Sequence, residues 1–97
     1  MRIVAVTACP TGIAHTYMAA EQLEKTARAL GHTIKVETQG AMGIENELAQ
    51  ADIDAADVVI IAADIALERP ERFERARRIE VPVQAVLKHP ESIFTRL

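Results

Sequence analysis

The chain has 97 residues, of which 49% are apolar, 26% charged and 3% aromatic, with four Gly and four Pro. That is enough apolar surface for one compact domain spanning residues 1–97 and too little chain for a second, and it excludes disordered, collagen-like and low-complexity readings. A net charge of -3 argues against nucleic acid as a partner, and the one Cys rules out an intrachain disulfide and a zinc site built on several thiolates. A lone thiol fits the cytosol. The longest apolar run, Val58 to Ala63, is far short of the roughly 20 residues a membrane-spanning helix needs, and the apolar segment before Cys9 is too short for an export signal.

The elements alternate along the chain. Ile3 to Val6 is a continuous apolar run, β-branched except at Ala5, suited to a strand covered on both faces. From Thr16 to Leu30, Ala19, Leu23, Ala27 and Leu30 recur at helical spacing, and Gly31 supplies a stop. Thr33 to Thr38 alternates polar and apolar residues, which predicts an edge strand; a helix over Glu45 to Ala55 follows. Val58 to Ile61 repeats the apolar strand pattern. A short helix over Glu71 to Arg77 then leads to a second alternating strand, Arg78 to Val83, in which Pro82 fits only an edge or a strand end. The last segment, Gln84 to Leu97, reads as helix broken at Pro90.

Strand-helix-strand repeats join by right-handed crossovers into a parallel sheet. Placing the two all-apolar strands in the middle predicts a three-layer α/β fold, with a four-stranded parallel sheet in the order 2-1-3-4 and helices on both faces. Ligands of such sheets bind beyond the carboxyl ends of the strands, where the order reverses. Cys9 and Asp64 follow the two strands that flank that point.

The segment Cys9-Pro10-Thr11-Gly12-Ile13-Ala14-His15-Thr16 joins the first strand to the long helix. A helix N-terminus offers unpaired N–H groups and partial positive charge, so it stabilises a thiolate and a phosphoryl group alike. Gly12 lets the backbone turn inward, and Thr11 and Thr16 add hydroxyls. The segment is not a nucleotide-binding P-loop, whose Gly-x4-Gly-Lys-Ser/Thr pattern is absent. Its spacing matches the tyrosine-phosphatase loop, Cys-x5-Arg-Ser/Thr, with His15 in place of the Arg that clamps a hydrolytic transition state. A phosphocysteine is compatible with this loop, and a small cysteine-dependent phosphatase is the alternative; a binding module with an inert Cys is a third.

Ala8 to Thr16 followed by Met18-Ala19-Ala20-Glu21, Glu37-Thr38-Gln39-Gly40 after the second strand, Ala56 to Asp64, and Arg72-Phe73 together resemble the fructose-type enzyme IIB domains of the bacterial sugar phosphotransferase system. The resemblance implies a phosphoryl relay without metal or organic cofactor. Cys9 would take the group from a phosphohistidine of enzyme IIA and pass it to fructose or a fructose-like sugar held in the membrane enzyme IIC. The chain would then work in the cytoplasm, peripheral to the membrane. Residues Pro10, Thr11, Gly12, Ile13, Ala14, His15 and Thr16 would bind the phosphoryl group.

Other residues carry plainer expectations. Thr38, Gln39 and Gly40 form either the rim of the pocket or a plain turn, and Asp64 is expected to cap a helix or turn rather than to act on the sulfur. Asp52, Asp54 and Asp57 lack the pattern of a calcium loop and read as a solvated helix end. His32 and His89 read as solvated turn residues. Arg69, Arg72, Arg75, Arg77 and Arg78, interleaved with Glu68, Glu71, Glu74 and Glu80, read as an exposed, salt-bridged surface.

Overall fold

The computed structural model describes residues 1–9, 13–40 and 43–97. The elements are β1 (Arg2–Ala8), α1 (Ile13–Ala29), β2 (Thr33–Gly40), β3 (Gly43–Glu45), α2 (Gln50–Ala55), β4 (Val58–Ala63), a 3-10 turn (Pro70–Phe73), β5 (Arg78–Val81), α3 (Val83–Lys88) and α4 (Pro90–Phe94). They form one sheet of order β3-β2-β1-β4-β5.

The α/β class and the order of the four parallel strands are as expected, with β1 flanked by β2 and β4, and β5 beside β4. A fifth strand extends the sheet. Gly43 has a left-handed backbone at φ 86, which glycine adopts without strain, and β3 pairs antiparallel to β2 through Thr38 with Glu45, Gln39 with Ile44 and Gly40 with Gly43. The alternating second strand is therefore not an edge, which corrects the expectation drawn from its pattern. Three residues are too few to show a periodicity of their own.

Because β1 and β4 are central and parallel, both faces of each are covered, and their apolar runs divide between two cores. On one face Ile3, Ala5, Val58, Ile60 and Ala62 pack against Ala19, Leu23 and Ala27 of α1 and against Val83, Val86, Ile93 and Phe94 of α3 and α4. On the other, Val4, Val6, Val59 and Ile61 pack against Leu48, Ile53 and Phe73. The long helix closes in a Schellman motif: Gly31 at φ 82 donates from its N–H to the carbonyl of Arg28, and the His32 N–H donates to that of Ala27 at 2.9 Å.

Two helices are shorter than expected. The residues from Asn46 to Ala49 precede α2 instead of belonging to it, and Glu71 to Arg77 forms a 3-10 turn that ends at Phe73. Both segments are bent around a buried charge pair, so tertiary contact overrides their helical composition. The break at Pro90 is as expected, with Pro90 opening α4.

Candidate active site

The central strand β1 ends at Ala8, whose neighbours in register are Gln39 on β2 and Ala63 on β4. Cys9 follows it at the point where the chain leaves the sheet. The Asp64 N–H donates to the Ala8 carbonyl at 3.0 Å, which ties the ends of β1 and β4 together. Cys9 is 7% exposed and packs in the same core cluster as Ala19 and Ala20 of α1. This is the predicted switch point, and the following helix has no acidic residue in its first turn to offset its positive end.

The face of the sheet beneath the start of α1 is lined by hydroxyls. Alternation along β1 puts Ile3, Ala5, Thr7 and Cys9 on one face, and along β2 it puts Val36 and Thr38 on that same face. Thr7 is paired with Thr38 across the strands and donates its hydroxyl to the carbonyl of Thr16 at 3.0 Å, which fixes the first turn of α1 against the sheet. Thr16 and Thr38 are 2% and 4% exposed, yet among the described residues neither hydroxyl oxygen has a hydrogen-bond partner. A Cβ added at Gly40 would stand 3.9 Å from the Thr16 hydroxyl, an ordinary contact, so the end of β2 reaches the first turns of α1.

The opposite face of β2 is organised by charge. Glu37, fully buried, receives Arg72 in a forked pair, with Nη1 to Oε1 at 2.7 Å and Nη2 to Oε2 at 3.0 Å. The guanidinium, on a residue 8% exposed, also donates to the carbonyls of Arg69 (3.0 Å), Leu48 (3.2 Å) and Glu68 (3.3 Å), so all of its donors are used. Glu37 accepts further bonds from the Leu48 N–H at 2.8 Å and from Gln39 Nε2 at 2.7 Å. Gln39 in turn exchanges two bonds with the backbone of Glu68. The guanidinium also lies over the ring of Phe73, 4.9 Å from its centroid.

Burial alone would raise the Glu37 carboxyl, but the bonds from Arg72, Gln39 and Leu48 outweigh it and hold the group below its ordinary value. The bond to Glu37 raises Arg72 in return. The result is a clamp that draws the segments after β3 and after β4 onto the carboxyl end of β2. Arg69, at φ 54, supplies one of the bonded carbonyls from a left-handed backbone.

The predicted site residues therefore fall into three groups. Pro10, Thr11 and Gly12 lie outside the described residues. Ile13 opens α1, Ala14 and His15 are exposed in its first turn, and Thr16 is buried beneath it. Thr38, Gln39 and Gly40 end β2, but on different faces: Thr38 stands on the α1 side, whereas Gln39 belongs to the clamp. A plain turn closed by Gly40 is thus replaced by a strand that continues into a hairpin.

Asp64 acts as a cap, accepting from the Val83 N–H at the start of α3 at 3.2 Å. The carboxylates of Asp52, Asp54 and Asp57 accept from Ala49 and Lys35, from Gln50, and from the Arg2 N–H respectively. The bond from Ala49 and the neighbouring Lys35 ammonium lower the Asp52 carboxyl.

His89 is exposed as expected. His32 is half-buried: its Nδ1 lies 3.1 Å from the amino group of Met1 and its ring stacks on Phe94, so it is not simply a solvated turn residue.

A family model described as the lactose/cellobiose specific IIB subunit of the PTS matches residues 4–96. The chain belongs to the enzyme IIB family of the phosphotransferase system. Its sequence is 47% identical over 96 residues to the PTS system fructose-like EIIB component 2 of Escherichia coli K12, covering 99% of this chain and 91% of that protein. It is 52% identical to the fructose-like PTS system EIIBC component of the same organism, covering all of this chain but only 20% of that longer protein. A crystal structure described as a predicted fructose specific IIB from Escherichia coli superposes with a TM-score of 0.93 at 47% identity, over 97% of this chain and 83% of the other.

Arg72 of this enzyme IIB chain also departs from its sequence pattern. Arg72 was expected on an exposed salt-bridged surface with its neighbouring arginines, and it is buried against Glu37 instead. Arg69, Arg75, Arg77 and Arg78 are exposed as expected, and Arg69 pairs with Glu47. No local signal marked the pair, because the alternating pattern of Thr33 to Thr38 reads as an edge strand and not as one covered on both faces; once buried, Glu37 needs a cation, and Arg is the residue type suited to a forked pair.

Proposed function

We propose that residues 1–97 act as one enzyme IIB domain that carries a phosphoryl group on Cys9. The thiolate sulfur attacks the phosphorus of a phosphohistidine on an enzyme IIA partner; the N–P bond breaks, an S–P bond forms, and the imidazole leaves. A hydroxyl of fructose or a fructose-like sugar, held in the membrane enzyme IIC, then attacks the phosphorus. The S–P bond breaks, the thiolate is regenerated and the hydroxyl proton passes to a base. No metal or organic cofactor of this chain enters either step, and the chain works at the cytoplasmic side of the membrane.

The single observation that carries this reading is the position of Cys9 at the end of the central strand, between the ends of β2 and β4 and ahead of the positive end of α1. There the N–H groups of the first turn of α1 are suited to hold phosphoryl oxygens, and exposed His15 is suited to approach them from the same turn. The names of the EIIB, EIIBC and EIIABC relatives support association with enzyme IIA and enzyme IIC, and those of the fructose-like relatives support the sugar class.

Incubation with phosphorylated enzyme IIA, followed by intact-mass measurement, tests the reading. Wild type gains one phosphoryl group and Cys9→Ser gains none, because an unactivated hydroxyl is a poor nucleophile beside a thiolate. A phosphorylated Cys9→Ser would overturn Cys9 as the acceptor. Rapid Cys9-dependent release of phosphate from an aryl phosphate would favour a phosphatase instead.

A further inference from the structure

Resting on that carrier reading, we propose that Thr38 is a phosphoryl-binding residue, donating its hydroxyl together with that of Thr16 to the oxygens of the group on Cys9. A strand separate from the loop that follows β1 would then take part in holding the transferred group.

Two independent features point there. The first is the unpaired hydroxyls. Burying a hydroxyl without a partner is unfavourable, and nearly all buried polar atoms in folded proteins are satisfied. Among the described residues two such atoms occur, on β2 and on α1, on residues 4% and 2% exposed. The third hydroxyl of the cluster, Thr7, has the carbonyl of Thr16 as its acceptor, so the local backbone does offer acceptors to a threonine placed to use them.

The second feature is placement. Thr38 stands on the face of β2 that carries Val36, in the cluster that includes Cys9, and it is in register with Thr7, two residues before Cys9. Thr16 lies in the first turns of the helix that follows Cys9, and Gly40 puts no side chain between its hydroxyl and the end of β2. The two donors thus flank the end of β1 from the strand and the helix. A phosphoryl group carries several acceptor oxygens and a charge that strengthens each bond it accepts. A hydroxyl is also a mild donor, which stabilises the phosphocysteine without the bidentate cation that favours its hydrolysis.

The test uses Thr38→Val, which keeps the shape and removes the donor, with Thr38→Ser as the variant that restores it. Each protein is equilibrated with a limiting ratio of phosphorylated to unphosphorylated enzyme IIA; occupancy of Cys9 is read by intact mass and folding by the thermal midpoint. Thr38→Val should keep or raise the midpoint, because a methyl replaces an unpaired buried hydroxyl. Its phosphoryl-transfer equilibrium should fall by about tenfold, the loss expected for one hydrogen bond to a charged group. Thr38→Ser should recover most of it, and Thr16→Val/Thr38→Val should fall further.

A merely structural Thr38 gives the opposite pattern, a lowered midpoint with unchanged occupancy, and that result overturns the proposal. Should Thr38→Val not fold, Thr38→Ala with the same readouts decides. Absence of phosphorylation on wild-type Cys9 sinks the carrier reading and this proposal with it, whereas normal phosphorylation of Thr38→Val sinks the proposal alone.

Discussion

The two faces of the carboxyl end of β2 are built on opposite principles, although they alternate residue by residue along one strand. Glu37 and Gln39 point into a network in which the guanidinium of Arg72 has an acceptor for every N–H and the carboxylate receives bonds from three residues. Thr38, between them, points to the other side and has no partner among the described residues. A satisfied polar network in a low-dielectric interior fixes geometry, because any displacement strands a charge. Unspent donors do the reverse and keep bonding capacity for something that arrives later. The clamp ties down one side of the strand end, and the hydroxyls lie on the other side, on the face that carries Cys9.

The contrast breaks most sharply at Arg72. Arg72→Met leaves the Glu37 carboxylate buried without its cation, and we expect a loss of about 3–5 kcal/mol in urea unfolding. The double variant Glu37→Leu/Arg72→Met should lose less than Arg72→Met alone, since the stranded charge is gone. Equal losses would mean that the pair is not what holds this face.

Gln39→Ala tests the second layer of the clamp. It leaves the Glu68 N–H and one lobe of the Glu37 carboxylate short of a partner, and the expected loss is about 1–3 kcal/mol. Amide exchange should quicken at Glu68 more than in β1; uniform quickening through the sheet would mean that Gln39 is not a local tie.

Acid should act on the same face with the smallest effect. Because Glu37 sits below its ordinary value near 4.5 when folded, its contribution is fully present above that pH. It is lost as the pH falls through the lower folded value. The loss stays smaller than that of Arg72→Met, as a neutral carboxyl still accepts from Gln39 and Leu48. The comparison of wild type with Glu37→Leu/Arg72→Met across pH 3 to 6, roughly the carboxylate range, sharpens it. A slope of the same size in both would assign the acid sensitivity to other carboxylates.

The strand-helix alternation and the order of the parallel strands were legible in the residues alone, because both depend on local patterns: continuous apolar, mostly β-branched runs for β1 and β4, helical spacing through Leu23 and Ala27, and the stop at Gly31. The position of Cys9 and Asp64 after the strands at the switch point was legible too, as a consequence of topology alone. That Glu37 and Arg72, far apart in the chain, meet in the interior, and that the segments before α2 and around Phe73 bend to meet them, emerged with the packing. Whether a charge lies on the surface or in a pair depends on what covers it, and here the cover is the segment before α2 and the segment that leads into the 3-10 turn, neither with a periodic pattern to read. The division of Thr38 from Gln39 was settled in the same way: alternation put them on opposite faces, but which face holds the sulfur and which the clamp follows from where α1 and the 3-10 turn pack.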